Sequence, residues 1–153
     1  MTQSIIGLAE TVEENVHEHI TSAYGEGGGF ELPAASLFGV ELDAEGNFVD
    51  TCYVTAHPDV YDLLERPASE LSTTFTTFAI VTTGWAAPLN DDGEVDGAPS
   101  KHPKRRRVRL VITANIDGVA SVLRFEDDSD NVIVDPGQGT GSLAEAVMNF
   151  VAN

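Results

Sequence analysis

The sequence predicts an α+β domain, with a central, mostly antiparallel sheet of five or six strands flanked by N-terminal, middle and C-terminal helices. Apolar stripes with helical spacing lie near both ends of the chain, in residues 2–24 and 143–151. Between them, stretches rich in β-forming residues are separated by turn signals, two of which are hairpin turns. At 153 residues and 42% hydrophobic content, the chain is expected to form one domain over residues 1–153.

The N-terminal helix is predicted from apolar residues that recur every three or four positions. These are Ile5, Leu8, Ala9, Val12, Val16, Ile20 and Ala23. Thr2 or Ser4 is the candidate N-cap, and the glycines at 25 and 27–29 end the helix. Its other faces are crowded with glutamates, namely Glu10, Glu13, Glu14 and Glu18.

A hairpin and a buried strand are predicted next. Residues 36–43 and 47–54 flank a glycine-containing turn, and because both arms are apolar on both faces we expect them at the centre of the sheet. A short helix is expected after His57-Pro58-Asp59, and a second turn or helix over 68–74. Residues 78–85 (FAIVTTGW) are typical of a buried strand.

The strongest hairpin signal joins residues 105–114 and 119–125 through Asn115-Ile116-Asp117-Gly118. Its register, with Ala114 facing Val119, gives one apolar core face: Val108, Leu110, Ile112, Ser121, Leu123 and Phe125. Residues 126–130 are expected to form an acidic turn and 131–135 a short edge strand, before a closing helix over 143–151 that Ser142 caps.

Positive charge is confined almost entirely to one segment. Six of the eight basic residues lie in Lys101–Arg109 (KHPKRRRVR), while the remaining chain has 25 acidic residues, Arg66 and Arg124. Without those six charges the formal net charge of −17 would be −23. Charge separated this strongly indicates either an internal clamp or one half of a partner interface, whereas the acidic excess has solubility as its simplest explanation.

On the hairpin face opposite the core face, the same register places Arg109 beside Arg124. It also places Arg107 opposite Glu126 and Arg105 opposite Asp128, as an exposed ladder of ion pairs. Two adjacent arginines repel unless an anion lies between them. A glutamate of the first helix, a carboxylate of a partner or a phosphate are the three alternatives, and a one-residue register slip would turn the arginines to the other face.

These observations favour a non-enzymatic protein-interaction or self-assembling module, with a protein partner or a second copy as ligand. Its contact surface is expected to be an outer sheet face and the long 88–104 loop. The candidate binding residues are Lys101, Lys104, Arg105, Arg107, Arg109, Arg124 and Trp85. An acidic mimic of nucleic acid that inhibits a nucleic-acid-binding protein is an alternative. Direct nucleic-acid binding is disfavoured, because no aromatic residues are interleaved with the basic ones and the rest of the chain is acidic.

The sequence does not indicate a catalytic residue, metal ligand or cofactor. His17 and His19, two apart on a helix, point in different directions, and His57 and His102 each precede proline. Cys52, on a predicted interior strand, is typical of a small buried hydrophobe. The glycine-rich residues 137–141 lack the Lys-Ser/Thr of a phosphate loop, and the acidic runs 91–96 and 126–130 lack the calcium-loop pattern.

Neither a secretory signal nor a membrane span is evident in the sequence, so a cytoplasmic protein without membrane contact is expected.

Two resemblances concern the middle and the C-terminal half. The run SLFGVELDAEGNFVDTCYV, the helix after His57-Pro58 and the strand FAIVTTGW resemble JAB/MPN-type metalloprotease-like domains in their order of elements. Residues 82–88 (TTGWAAP) stand where those domains have their zinc histidines, so this resemblance implies at most a degenerate metallohydrolase-like relative. The segments GWAAPL, HPKRRRVRLV, GVASVLRF and TGSLAEAV resemble acidic proteins of actinobacteria and their phages, which implies no activity.

Overall fold

The computed structural model of the protein describes residues 4–71, 74–87, 97, 101–135 and 142–152. Its helices are α1 (Ile5–Tyr24), α2 (Val60–Leu63), α3 (Ala68–Leu71) and α4 (Ser142–Ala152). Its strands are β1 (Ala35–Leu42), β2 (Phe48–His57), β3 (Phe78–Ala86), β4 (Arg106–Asn115), β5 (Gly118–Phe125) and β6 (Asp128–Asp135). Most of the predicted 88–104 loop, the acidic run 91–96 and the glycine-rich residues 137–141 lie outside the described residues.

The six strands form one antiparallel sheet in the order β2-β1-β3-β4-β5-β6, which confirms the α+β class. Hairpins join β1 to β2 and β4 to β5, and β3 lies between the two hairpins. The β4–β5 register is the predicted one, with Ala114 opposite Val119 and Val108 opposite Phe125. Its accuracy follows from the local turn, since a two-residue loop fixes the pairing of both arms.

Helices cover both faces of the sheet. On one face the apolar stripe of α1 (Leu8, Val12, Val16) packs on Val40, Ala79, Val81 and Val111. On the other face α2, α3 and α4 enclose a cluster that includes Leu37, Leu63, Ile80, Ile112, Val147 and Phe150. The two central strands β3 and β4 therefore contribute apolar residues to the clusters on both faces of the sheet.

Helix α1 begins and ends where its capping residues allow. The Ser4 hydroxyl accepts a hydrogen bond from the Gly7 N–H at 3.1 Å. Ser4, one of the two predicted candidates, is therefore the N-cap. At the other end Gly25, with φ of 86°, donates its N–H to the Thr21 carbonyl at 2.8 Å. Among the described residues, no helix is long and apolar enough to cross a membrane.

Two predictions about the sheet were wrong. The first hairpin is not central, because β2 is an edge strand, and Val49 and Tyr53 are 52% and 64% exposed. The acidic residues 128–130 belong to β6 rather than to a turn, so the predicted short edge strand is longer by three residues. Sequence periodicity does not reveal which hairpin arm lies at an edge, since strand order is set by contacts between distant segments.

Candidate protein-interaction surface

The hairpin β4–β5 and its neighbour β3 align the candidate binding residues. Arg109 lies opposite Arg124 on β5 and opposite Thr83 on β3, and Trp85 lies opposite Arg107. Arg107, Arg109 and Arg124 therefore share one face of the sheet, as predicted, and Trp85 lies on the same face.

That face is covered by α1 rather than open to solvent, which corrects the expectation of an outer sheet face. Arg109 is 0% exposed and Arg124 is 7% exposed. The physical reason is that Val111, next along β4 on this face, belongs to the apolar cluster on which α1 packs. The helix continues past that cluster and carries polar residues over the two arginines.

Arg124 is held by a buried carboxylate of α1. Its Nε donates to Glu13 Oε2 at 2.7 Å and its Nη2 to Glu13 Oε1 at 2.6 Å, a two-point pair in which Glu13 is 1% exposed. The third nitrogen, Nη1, donates to the Ser129 carbonyl. Of the three anions considered from the sequence, the structure therefore shows the glutamate of the first helix, although it is hydrogen-bonded to Arg124 and does not bridge to Arg109.

Arg109 has a different set of partners. Its Nη2 lies 2.5 Å from His17 Nδ1 and its Nη1 donates to the Gly29 carbonyl at 3.3 Å. Its guanidinium carbon lies 4.6 Å from the centre of the Phe30 ring, and its Nε has no hydrogen-bond partner among the described residues. Burial, reinforced by Arg124 and opposed by Glu13, lowers the pKa of Arg109 to about 10.

His17 must be neutral to accept this hydrogen bond, because a protonated imidazole has no free acceptor. Burial is the largest cause that lowers the pKa of His17, followed by the charges of Arg124 and Arg109. Glu13 and Asp130 act in the opposite direction. This cluster is an internal clamp between α1 and the sheet, so Arg109 and Arg124 are not available to a partner.

The remaining candidates form what we call the basic platform: Lys101, Lys104, Arg105, Arg107 and Trp85. Three of its four cations are exposed: Lys101, Lys104 and Arg105. The guanidinium carbons of Arg105 and Arg107 lie 4.7 and 3.9 Å from the centre of the Trp85 ring. Cation–π contacts of this kind hold both arginines at the end of the sheet.

Within the platform, Arg107 also has an anionic neighbour. Its Nη2 lies 3.2 Å from Glu31 Oε1, and the Arg107 and Glu31 side chains are 20% and 71% exposed. Glu31 comes from the segment between α1 and β1, so this pair joins the platform to the residues just after the helix. A salt bridge with so exposed a carboxylate contributes little stability and exchanges readily.

The predicted ladder of cross-strand ion pairs is not formed. Arg107 pairs with Glu31 instead of Glu126, and Arg105 stacks on Trp85 instead of pairing with Asp128. Arg106, on the opposite face, pairs with Asp127 at 2.6 Å and stacks on Phe125 at 3.9 Å. Arginine readily stacks on a nearby aromatic ring or pairs with a carboxylate outside its cross-strand position, and the register alone does not reveal these partners.

The described residues do not bring together a set of metal ligands. Within the described residues, no group of three or more histidine, cysteine, aspartate or glutamate side chains is placed to hold a metal ion. Cys52 is half-buried on β2, which is an edge strand rather than the predicted interior one.

Several residues of the clamp were not identified from the sequence. Glu13 was only one of four helix glutamates, while His17, Gly29 and Phe30 were not connected with the arginines at all. The helical spacing contained one signal for Glu13. It lies on the same side of the helix as the apolar Val12 and Val16, so its side chain is expected to face the sheet.

Comparison with known proteins gives no relative from which a function could be transferred. No family model, curated protein or solved structure matches the chain. The resemblances to JAB/MPN-type domains and to acidic actinobacterial and phage proteins thus stay predictions.

Proposed function

We propose that the protein is a non-enzymatic interaction module whose basic platform binds a carboxylate-rich surface of a partner protein. The observation that carries this proposal is the exposure of Lys101, Lys104 and Arg105 beside a tryptophan, at one end of a strongly acidic molecule. Among the described residues, no ion pair involves any of these three cations.

The stacking on Trp85 suits the platform to this role. Side chains that are already held in place lose less conformational freedom when they bind, so more of the interaction energy contributes to affinity. Guanidinium groups present parallel N–H donors that match the two oxygens of a carboxylate. A tryptophan flanked by arginines is also typical of the residues that dominate protein–protein binding energy.

Glu31 indicates the chemistry of the ligand. It places a carboxylate on Arg107 within the molecule, where a partner's aspartate or glutamate would bind. Because Glu31 is 71% exposed, a partner carboxylate can displace it at small cost. The acidic remainder of the chain, with 25 aspartates and glutamates, would repel ligands that approach from other directions.

The proposal is tested by titrating the protein with a glutamate-rich peptide while following tryptophan fluorescence. Trp85 is the single tryptophan of the sequence, so its emission reports the platform alone. We expect a saturable change at about 50 mM salt that is weakened severalfold at about 500 mM, because the Debye length falls with ionic strength. A lysine-rich peptide of equal length should cause no saturable change.

A matched pair of variants locates the binding. Arg105→Gln should weaken binding of the acidic peptide about two- to fivefold, as expected for one exposed charge contact. Arg66→Gln, which removes another exposed charge from outside the platform, should leave it unchanged. Equal affinities of both variants would refute the platform as the binding surface.

Glu31→Gln gives an independent check of the same surface. Freeing Arg107 from its internal carboxylate should raise the affinity for the acidic peptide about two- to fivefold. Sedimentation of the protein alone at the two salt concentrations then distinguishes the possible partners. Oligomers that dissociate at high salt identify a second copy as the partner, whereas a monomer at both salts identifies another protein.

A further inference from the structure

The edge strand β6 has the features of a site for strand addition. It is eight residues long and stands last in the sheet order, so within the described residues no strand pairs with its outer side. Val132 and Ile133 are 38% and 55% exposed, on opposite faces of the strand. An edge that exposes backbone donors, acceptors and apolar side chains on both faces is suited to pairing with another chain.

A groove of about 530 Å³ runs between β6 and α1. Its lining includes Val122, Val132 and the Glu13–Arg124 ion pair, whose charges offset each other. It also includes Asp130 and three exposed glutamates of α1, which leave the groove with an excess of negative charge: Glu10, Glu14 and Glu18. The glutamates recur every four residues and so follow one line along the helix, roughly a turn apart. On the other face of the sheet the side chain beside the edge is the apolar Ile133.

We propose that β6 receives an extended segment of a partner protein in which basic and apolar residues alternate. As a seventh strand, the segment would direct every second side chain into the groove, where lysine or arginine would meet the glutamates and Asp130. The side chains between them would lie on the opposite face against Ile133. Charge complementarity selects this occupant, because β6 of a second copy would bring Asp128 and Asp130 against the same acidic rim.

This surface is separate from the basic platform and takes a partner of opposite charge. Main-chain hydrogen bonds along β6 would supply sequence-independent affinity, and the two faces would supply the requirement for alternation. Binding to β6 should therefore depend both on the backbone N–H groups of the partner segment and on its positive charge, and the two dependences can be measured independently.

The test uses a labelled seven-residue peptide in which lysine and valine alternate, with both ends blocked. Fluorescence anisotropy should show saturable binding at about 50 mM salt and about tenfold weaker binding at about 500 mM. Two further peptides are N-methylated on one or the other set of alternate residues. Since only one set of N–H groups faces β6, one peptide should lose binding and the other should retain it.

Two outcomes overturn the inference. Equal binding of both N-methylated peptides would show electrostatic adhesion without strand pairing, and absence of binding by the parent peptide would show that β6 is not an acceptor. Hydrogen exchange gives a direct readout of the position, because the amides of residues 128–135 that face away from β5 should become protected when the parent peptide is bound.

A matched pair of triple variants tests the groove. Glu10→Gln/Glu14→Gln/Glu18→Gln should weaken binding of the lysine–valine peptide at least about tenfold. The control Glu26→Gln/Glu41→Gln/Glu65→Gln removes the same charge from exposed positions elsewhere and should leave binding within about twofold. Equal losses in the two triple variants would show a response to net charge alone and would contradict the assignment to the groove.

Discussion

Glu13 and Arg124 form a two-point ion pair closed to solvent, and the Ser129 carbonyl accepts from the third nitrogen of Arg124. A pair of this kind adds little compared with apolar residues of equal volume, yet loss of one partner leaves an uncompensated buried charge. The pair also fixes which side of α1 meets the sheet, since any other rotation of the helix would leave Arg124 unpaired.

Removing the carboxylate should therefore be costly. Glu13→Ala is expected to lower the free energy of unfolding by about 3–5 kcal/mol. Glu14→Ala, at the exposed next position of the same helix, should change it by less than about 0.5 kcal/mol. Urea denaturation of both variants is the measurement, and similar losses would show that Glu13 does not carry the pairing of α1 with the sheet.

The contact of His17 with Arg109 predicts a pH dependence of stability. The folded-state pKa of His17 lies below the ordinary value of 6.5, so the unfolded chain binds the proton more readily. Stability should fall as the pH decreases through 6.5 and level off, for this group, below the folded-state pKa. His17→Gln should lose less stability between pH 7.5 and pH 5.5 than the wild type.

His19→Gln is the control for this titration, because His19 is exposed on the same helix. It should follow the wild-type profile in denaturant unfolding at each pH. If His17→Gln instead shows the same pH profile as the wild type, His17 is not the cause of the pH dependence.

At the scale of single elements, two strand glycines differ in how closely neighbouring side chains pack against them, a difference that the hydrophobic pattern of the strands does not show. Gly39 in β1 lies directly beneath the Phe75 ring, where an added Cβ would meet ring atoms at 2.2 Å. Gly84 in β3 has no heavy atom of the described residues within 4 Å of such a Cβ. Both glycines have ordinary strand conformations, so only the space around them differs.

These two glycines should respond differently to the same substitution. Gly39→Ala is expected to destabilise the protein by about 1–3 kcal/mol, because Phe75 must move. Gly84→Ala should be neutral or stabilise by up to about 1 kcal/mol, because alanine restricts the unfolded chain. Thermal and urea unfolding measure both, and an equal effect would show that Phe75 moves aside without cost.

The elements themselves were largely predictable, but their neighbours were not. The β4–β5 hairpin was predicted with its register because Asn115–Gly118 fixes the pairing locally, and α1 because its stripe is continuous. The edge position of β2 depends on which strands pair across long sequence separations. The burial of Arg109 beneath α1 depends on which face of the sheet the helix packs against. Neither leaves a periodic signal.

For the whole molecule, charge is distributed in two opposing ways. The net charge of −17 favours expansion of the folded chain, while the six cations of residues 101–109 are concentrated at one end of the sheet. Arg109 belongs to the internal clamp, and Lys101, Lys104 and Arg105 point outward. The sequence therefore predicted both possibilities, clamp and interface, but did not assign each residue to one of them.

Salt should act on stability and on binding in opposite directions. An increase from about 50 to about 500 mM sodium chloride should raise the urea midpoint, because it screens repulsion among the carboxylates. The same increase should weaken binding of the acidic peptide to the basic platform. A lower urea midpoint at high salt would show that exposed ion pairs outweigh the repulsion.

The most direct test of the central claim compares tagged wild type with Arg105→Glu and Arg66→Glu, two variants with the same change of charge, in pull-downs from the native lysate. At about 50 mM salt, wild type and Arg66→Glu should retain the same partner, which should carry a carboxylate-rich surface. That partner should be lost at about 500 mM salt and with Arg105→Glu. A partner that Arg105→Glu retains as well as the wild type would contradict the basic platform as the interaction surface.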